Sequence, residues 1–131
     1  MKAFLIDLDN KPGTLADVTE AIAAKGINIE NLAGASCGSG GRAVIVTNDE
    51  AGTRNVLSQA GKKFQELETV EANLAHQQVG SFSKAARRLA DAGVNIEAVL
   101  PSGMAGGDVT ITFVTNNPAK TREILAMAAT R

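Results

Sequence analysis

The chain has 131 residues and a formal net charge of −1, with 44% hydrophobic and 21% charged residues, which fits a globular chain and excludes a disordered or nucleic-acid-coating one. A single cysteine, Cys37, excludes an intrachain disulfide framework and a thiolate-rich metal site. Aromatic residues make up 3%, with no Trp or Tyr, so stacking platforms for bases or sugar rings are nearly unavailable.

In chain order, Phe4, Ile6 and Leu8 alternate with other residues at the two-residue period of a strand. Residues 1–9 carry acidic side chains where a secretory leader would be apolar, and no stretch approaches ~20 uninterrupted apolar residues. A cytoplasmic location is therefore expected. A turn at Asn10-Lys11-Pro12-Gly13 leads to a helix that Thr14 can cap, with Asp17 three residues on and Leu15, Val18 and Ile22 on one face. Gly26 stops it in a left-handed conformation. Extended segments then flank the glycine-rich link Gly38-Ser39-Gly40-Gly41, the second running over about residues 43–47. A second helix starts near Asp49 with Val56, Leu57 and Ala60 inward, and residues 64–70 supply a further strand.

The same order then repeats. Gly26-Ile27-Asn28-Ile29-Glu30 recurs as Gly93-Val94-Asn95-Ile96-Glu97, 67 positions later, and Gly13-Thr14-Leu15 falls on Gly80-Ser81-Phe82. Further on the offset becomes 68, so that Val46-Thr47-Asn48 matches Val114-Thr115-Asn116. One inserted residue, expected in a loop, accounts for the change. In the second copy Ser81 is the cap candidate, Phe82, Ala85 and Leu89 form the stripe, and Gly93 is the stop. A hairpin through the segment 103–107 follows, with its second strand at about 109–115, and Asn117-Pro118 opens a last helix bearing Ile124, Leu125 and Ala128.

Strand, helix, strand, strand, helix and a closing strand make a ferredoxin-like α+β sandwich. The expectation is two such βαββαβ sandwiches in tandem, residues 1–70 and 71–131, the second lacking its last strand. Its sheet should then have an open edge, closed by exchange between copies or by a second chain.

The run Asp9-Asn10-Lys11-Pro12-Gly13-Thr14-Leu15, followed by Gly26-Ile27-Asn28-Ile29, resembles the signature of the ACT domain family, and the resemblance extends over both copies. It implies two ACT-type regulatory units pairing side by side, with a free amino acid held at the seam between them. Elementary chemistry points to the same turn. Gly13 and Thr14 open a helix whose unpaired N–H groups favour a carboxylate, and Gly13 permits close approach. Asn10 is a partner for the ligand's amine or side chain, and Asp7 or Asp9 for its ammonium. The resemblance also puts Asn28 and Ile29 on the opposite wall, with Gly80 and Asn95 their second-copy counterparts. The expected ligand-binding set is thus Asp9, Asn10, Lys11, Pro12, Gly13, Thr14, Leu15, Asn28, Ile29, Gly80 and Asn95. The bland alternatives are a tight capped turn with nothing bound and asparagines that bond local backbone.

In the second copy Gln77, Gln78 and Val79 replace Asn10, Lys11 and Pro12, and Leu74 and His76 replace Asp7 and Asp9, so the two sites should be unequal. His76 has no second histidine, cysteine pair or nucleophile with which to form a catalytic set. Asp7-Leu8-Asp9-Asn10 lacks the glycine and final glutamate of a calcium loop, and Gly38-Ser39-Gly40-Gly41-Arg42 precedes a strand and lacks a phosphate loop's ending. Lys84, Arg87 and Arg88 form a small solvated basic face. The sequence therefore reads as a regulatory module without catalysis or cofactor, a homodimer acting on a partner metabolic enzyme, with neither nucleic acid nor membrane as partner. The alternative is an assembly protein without a metabolite.

Overall fold

A computed structural model describes residues 1–75, 79–105 and 108–129. They form β1 (Lys2–Asp9), α1 (Thr14–Ala23), β2 (Ile29–Cys37), β3 (Gly40–Thr47), α2 (Glu50–Gln59), β4 (Phe64–Ala75), α3 (Ser81–Asp91), β5 (Ile96–Ala105), β6 (Asp108–Thr115) and α4 (Pro118–Ala129). This is a ferredoxin-like α+β fold. Two compact units divide the chain, Met1–Leu67 and Glu68–Arg131. The boundary falls inside β4, so the segment expected to end one sheet and the segment expected to begin the next are one continuous strand. Expected features at His76, Gln77, Gln78, Gly106 and Gly107, and at the side chain of Ala128, lie outside the described residues.

In the first unit β3 lies between β2 and β1, antiparallel to both, with Gly34 opposite Ala43, Leu32 opposite Ile45 and Ile45 opposite Phe4. The Asp7 N–H donates to the Lys63 carbonyl at 2.9 Å, bringing the entry to β4 alongside β1. Phe4, Ile6, Ala43 and Ile45 meet Val18 and Ile22 of α1 and Val56 and Leu57 of α2 in one core. Phe64 closes that core, its ring 6.0 Å from that of Phe4. Ala3 and Leu5 are buried as well, so β1 lacks the clean alternation of a half-exposed strand. Ala60 is exposed rather than part of the α2 face.

The second unit repeats the plan, with β6 between β4 and β5 and antiparallel to both, Phe113 opposite Val70 and Val99. Its core gathers Val70, Ala72, Leu74, Ala85, Leu89, Val94, Phe113 and Leu125. Buried polar groups repeat too. Thr47 and Thr53 share a hydroxyl hydrogen bond of 2.8 Å, and Thr115 and Thr121 one of 2.7 Å. The Asn48 side chain accepts from the Asn28 N–H, and the Asn116 side chain accepts from the Asn95 N–H. The inserted residue between the copies is in a strand and not in a loop. Pro101 faces Ile111 and Gly103 faces Thr110, which leaves Ser102 as a bulge in β5.

Helix ends follow local chemistry. Gly26, Gly61 and Gly93 have positive φ, and around each the next N–H reaches back to the carbonyl five residues earlier. Asp49 caps α2 through the Gly52 N–H, and Asn117 caps α4 through the Lys120 N–H. The first helix of each copy differs from expectation. Thr14 and Ser81 are not caps. Gly13 and Gly80 hold the cap positions in left-handed geometry, φ 93° and 86°, with no side-chain cap hydrogen bond. The Thr14 hydroxyl points backward to the Asp9 carbonyl, as Ser81 does to Ala75.

Candidate ligand-binding site

The turn after β1 is fixed by its own backbone. The Asn10 N–H donates to the Ser39 carbonyl at 2.9 Å and Asn10 Nδ2 to the Gly38 carbonyl at 3.0 Å, tying the turn to the β2–β3 hairpin. Thr14 Oγ1 donates to the carbonyls of Asp9 at 2.8 Å and Lys11 at 3.2 Å, and the Thr14 N–H makes a long contact of 3.4 Å to Lys11. Left-handed Gly13 then turns the chain into α1, whose first amides lack intrahelical acceptors. Without a capping side chain, the amides of Leu15 and Ala16 are donors for an incoming anion.

Beside this turn lies a cavity of about 450 Å³, lined by residues of the first unit. The turn and the start of α1 form one wall, and Leu32, Ala33, Gly34, Ala35 and Ser36 of β2 form the other. Leu8, Gly41, Arg42 and Ala43 complete the lining. The space exists because the residues bordering it are small. Gly34 is opposite Ala43 and Ser36 is opposite Gly41, and a Cβ on Gly41 would come within 2.8 Å of the Ala35 carbonyl oxygen. Leu15 and Leu32, 41% and 43% exposed, supply apolar surface. Leu15 therefore belongs to the cavity and not to the core stripe, because α1 begins with its first turn beyond the sheet residues that bury Val18 and Ile22.

Charge is distributed around the opening. Asp9 and Lys11 line it as exposed side chains. Arg42 lines it too, with Nη2 3.1 Å from Asp7 Oδ1. Asp7 pairs with Arg42 and does not line the cavity, so of the two carboxylates expected to face an ammonium group Asp9 is the one that borders it.

Of the expected residues, Asp9, Asn10, Lys11, Gly13, Thr14 and Leu15 come together at this cavity. Pro12 shapes the same turn without lining the space. Asn28 and Ile29 do not line it: the Asn28 backbone pairs with Asn48 in both directions, and Ile29 packs on the core. Gly80 starts α3, and Asn95 donates through Nδ2 to Glu97 and pairs its backbone with Asn116. The β2–β3 wall escaped sequence reasoning; its one signal is the density of glycine and alanine from Ala33 to Ala43, of which only Gly38–Gly41 was read, as a link between strands. Among the described residues no group of three or more His, Cys, Asp or Glu side chains is placed to hold a metal ion, and no helix is long and apolar enough to cross a membrane.

The α+β unit, with a glycine-opened helix facing a small cavity, is of the ferredoxin-like class, and comparison with known proteins makes this specific. Residues 4–72 match the model of the AHAS small subunit-like ACT domain. The chain belongs to the ACT domain family. No curated protein matches it significantly. Among solved structures it is similar to protein BT0572 from Bacteroides thetaiotaomicron, at 24% identity and a TM-score of 0.75, over 96% of this chain and 86% of that one. It is also similar to the regulatory subunit of aspartate kinase from Thermus flavus, at 21% identity and 0.67, over 98% and 89%. The ligand-free regulatory subunit of aspartate kinase from Thermus thermophilus gives 18% and 0.67, over 97% and 90%. At these identities the likeness shows the fold alone.

Proposed function

We propose that this protein is a tandem pair of ACT units, residues 1–70 and 71–131, that binds a free amino acid and regulates a partner metabolic enzyme without catalysing a reaction itself. The observation that carries the reading is the cavity in the first unit, where the uncapped first turn of α1 meets an apolar recess large enough for a small zwitterion. The carboxylate docks on the amides of Leu15 and Ala16. Asp9 offers its charge to the ammonium, and Leu15 and Leu32 take the side chain. Asn10 and Pro12 hold the turn in place. The repeated threonine and asparagine hydrogen bonds support the tandem arrangement, and the similar aspartate kinase regulatory subunits support a regulatory role.

In this reading the protein is a cytoplasmic homodimer. The edge of β2 in the first unit's sheet borders the cavity, so a second copy added there completes the ligand's enclosure. Ligand binding then shifts the geometry of the pair and acts on the enzyme through differential affinity for two states. Neither a nucleic acid nor a cofactor has a place in this scheme.

The test is a thermal-shift titration with each common free amino acid. A ligand at ~100 times its dissociation constant stabilises the folded protein by about 2.7 kcal/mol. A panel in which no amino acid raises the melting temperature overturns the proposal and favours an assembly protein that uses the exposed β2 edge without a metabolite.

A further inference from the structure

The internal repeat supplies its own control for the cavity. Aligning the copies through strand register sets Gly34 opposite Ala43 in the first unit against Pro101 opposite Ile111 in the second. Gly41 corresponds to Val109, and Leu15 corresponds to Phe82. Every one of these changes adds volume where the first unit is open. Val109 and Ile111 pack against the second unit's core, and the Phe82 ring stacks 5.9 Å from that of Phe113 with the planes 9° apart.

The backbone near this position differs between the units as well. In the first unit a Cβ on Gly41 meets the Ala35 carbonyl oxygen, whereas in the second the extra residue in β5 alters the strand's path beside Val109.

From this we infer that the first unit alone holds the ligand, one per chain, and that Gly34 and Ala43 set how large a ligand side chain can enter. The inference rests on the amino-acid-binding reading above and goes beyond it by assigning stoichiometry and size selection to two residues. The second unit keeps the left-handed glycine at its helix start but carries larger side chains at the positions that correspond to Gly34, Gly41, Ala43 and Leu15.

Two substitutions add side-chain volume to the first unit's recess, and Ala43→Ile copies the residue that the second unit has at that position. Gly34→Val is the gentle one. A Cβ there lies 3.5 Å from the Arg42 carbonyl oxygen, an ordinary contact, on an exposed strand residue. Ala43→Ile fills the recess from a buried position and carries an overpacking cost, so Gly34→Val keeps the test decisive if Ala43→Ile folds poorly.

The experiment is calorimetric and nuclear magnetic resonance titration of the full-length chain with the common free amino acids. The expected result is one equivalent per chain and amide perturbations confined to the 13–16 and 32–43 segments. Gly34→Val should weaken binding about tenfold or more, most for the largest ligands, with the melting temperature nearly unchanged. Two equivalents per chain, perturbations at residues 80–83 and 99–111, or wild-type affinity in Gly34→Val overturn the inference while leaving the proposed function standing. A wild-type chain that binds no amino acid overturns the proposed function, and this inference with it.

Discussion

Replacing Gly13 with alanine tests the physical basis of the site without touching any side chain. Gly13 sits at φ 93° and ψ −16°, and a Cβ built on it meets nothing within 4 Å. No collision therefore enters the cost, which is the backbone penalty for a left-handed L-residue, about 1–2 kcal/mol. In urea unfolding with a slope of about 2 kcal/mol per molar, the midpoint falls by roughly 0.5–1 M with the slope unchanged. Gly13→Asn should recover part of the loss, since asparagine tolerates this region better. Gly80→Ala is the matched control in the second unit, at φ 86° with Ser83 Oγ at 3.3 Å from the added Cβ, and should cost a similar amount. A Gly13→Ala midpoint within about 0.1 M of wild type, or an asparagine variant no better than the alanine one, refutes the argument that left-handed geometry selects glycine here.

The paired threonines make a second prediction. Thr53→Val and Thr121→Val keep side-chain shape but remove a buried hydroxyl that bonds both a second threonine and a backbone carbonyl, so each should destabilise by about 1 kcal/mol in denaturant unfolding; a large difference between the two would break the equivalence of the copies. A third concerns pH. Arg54 donates two hydrogen bonds to the Glu66 carboxylate, and this bonding holds the Glu66 carboxyl below its ordinary value of about 4.5, against an opposing push from burial. A depressed folded-state value means that the contribution is fully present above about pH 4.5 and is lost as pH falls through the lower folded value. The stability gap between wild type and Glu66→Gln, a few tenths to about 1 kcal/mol near neutrality, should therefore close in acid, and a gap that stays constant down to about pH 3 counts against the pairing.

The sequence by itself determined the order of elements, because hydrophobic period, asparagine and aspartate caps and glycine stops are local signals, and they occur twice. Gly26, Gly93, Asp49 and Asn117 stand where their conformational chemistry requires them. The Asn10–Leu15 turn was legible for the same reason. Only the tertiary structure decided what faces that turn. Leu15 and Phe82 fit a helical stripe by spacing, yet both are exposed at 41%, since a helix's first turn can overhang the sheet that buries the turns after it. Asn28 resembled a wall of the pocket, whereas Asn48, 20 residues away in sequence, engages its backbone N–H. The opposite wall, from Leu32 to Ser36, and the Gly41 and Ala43 that leave room beside it, depend on which residues of β2 and β3 are paired. Strand register is a long-range property, and a one-residue slip exchanges the two faces of a strand. The Ser102 bulge is the plainest case: sequence alignment counted one extra residue and expected a loop, while pairing with β6 accommodated it inside a strand.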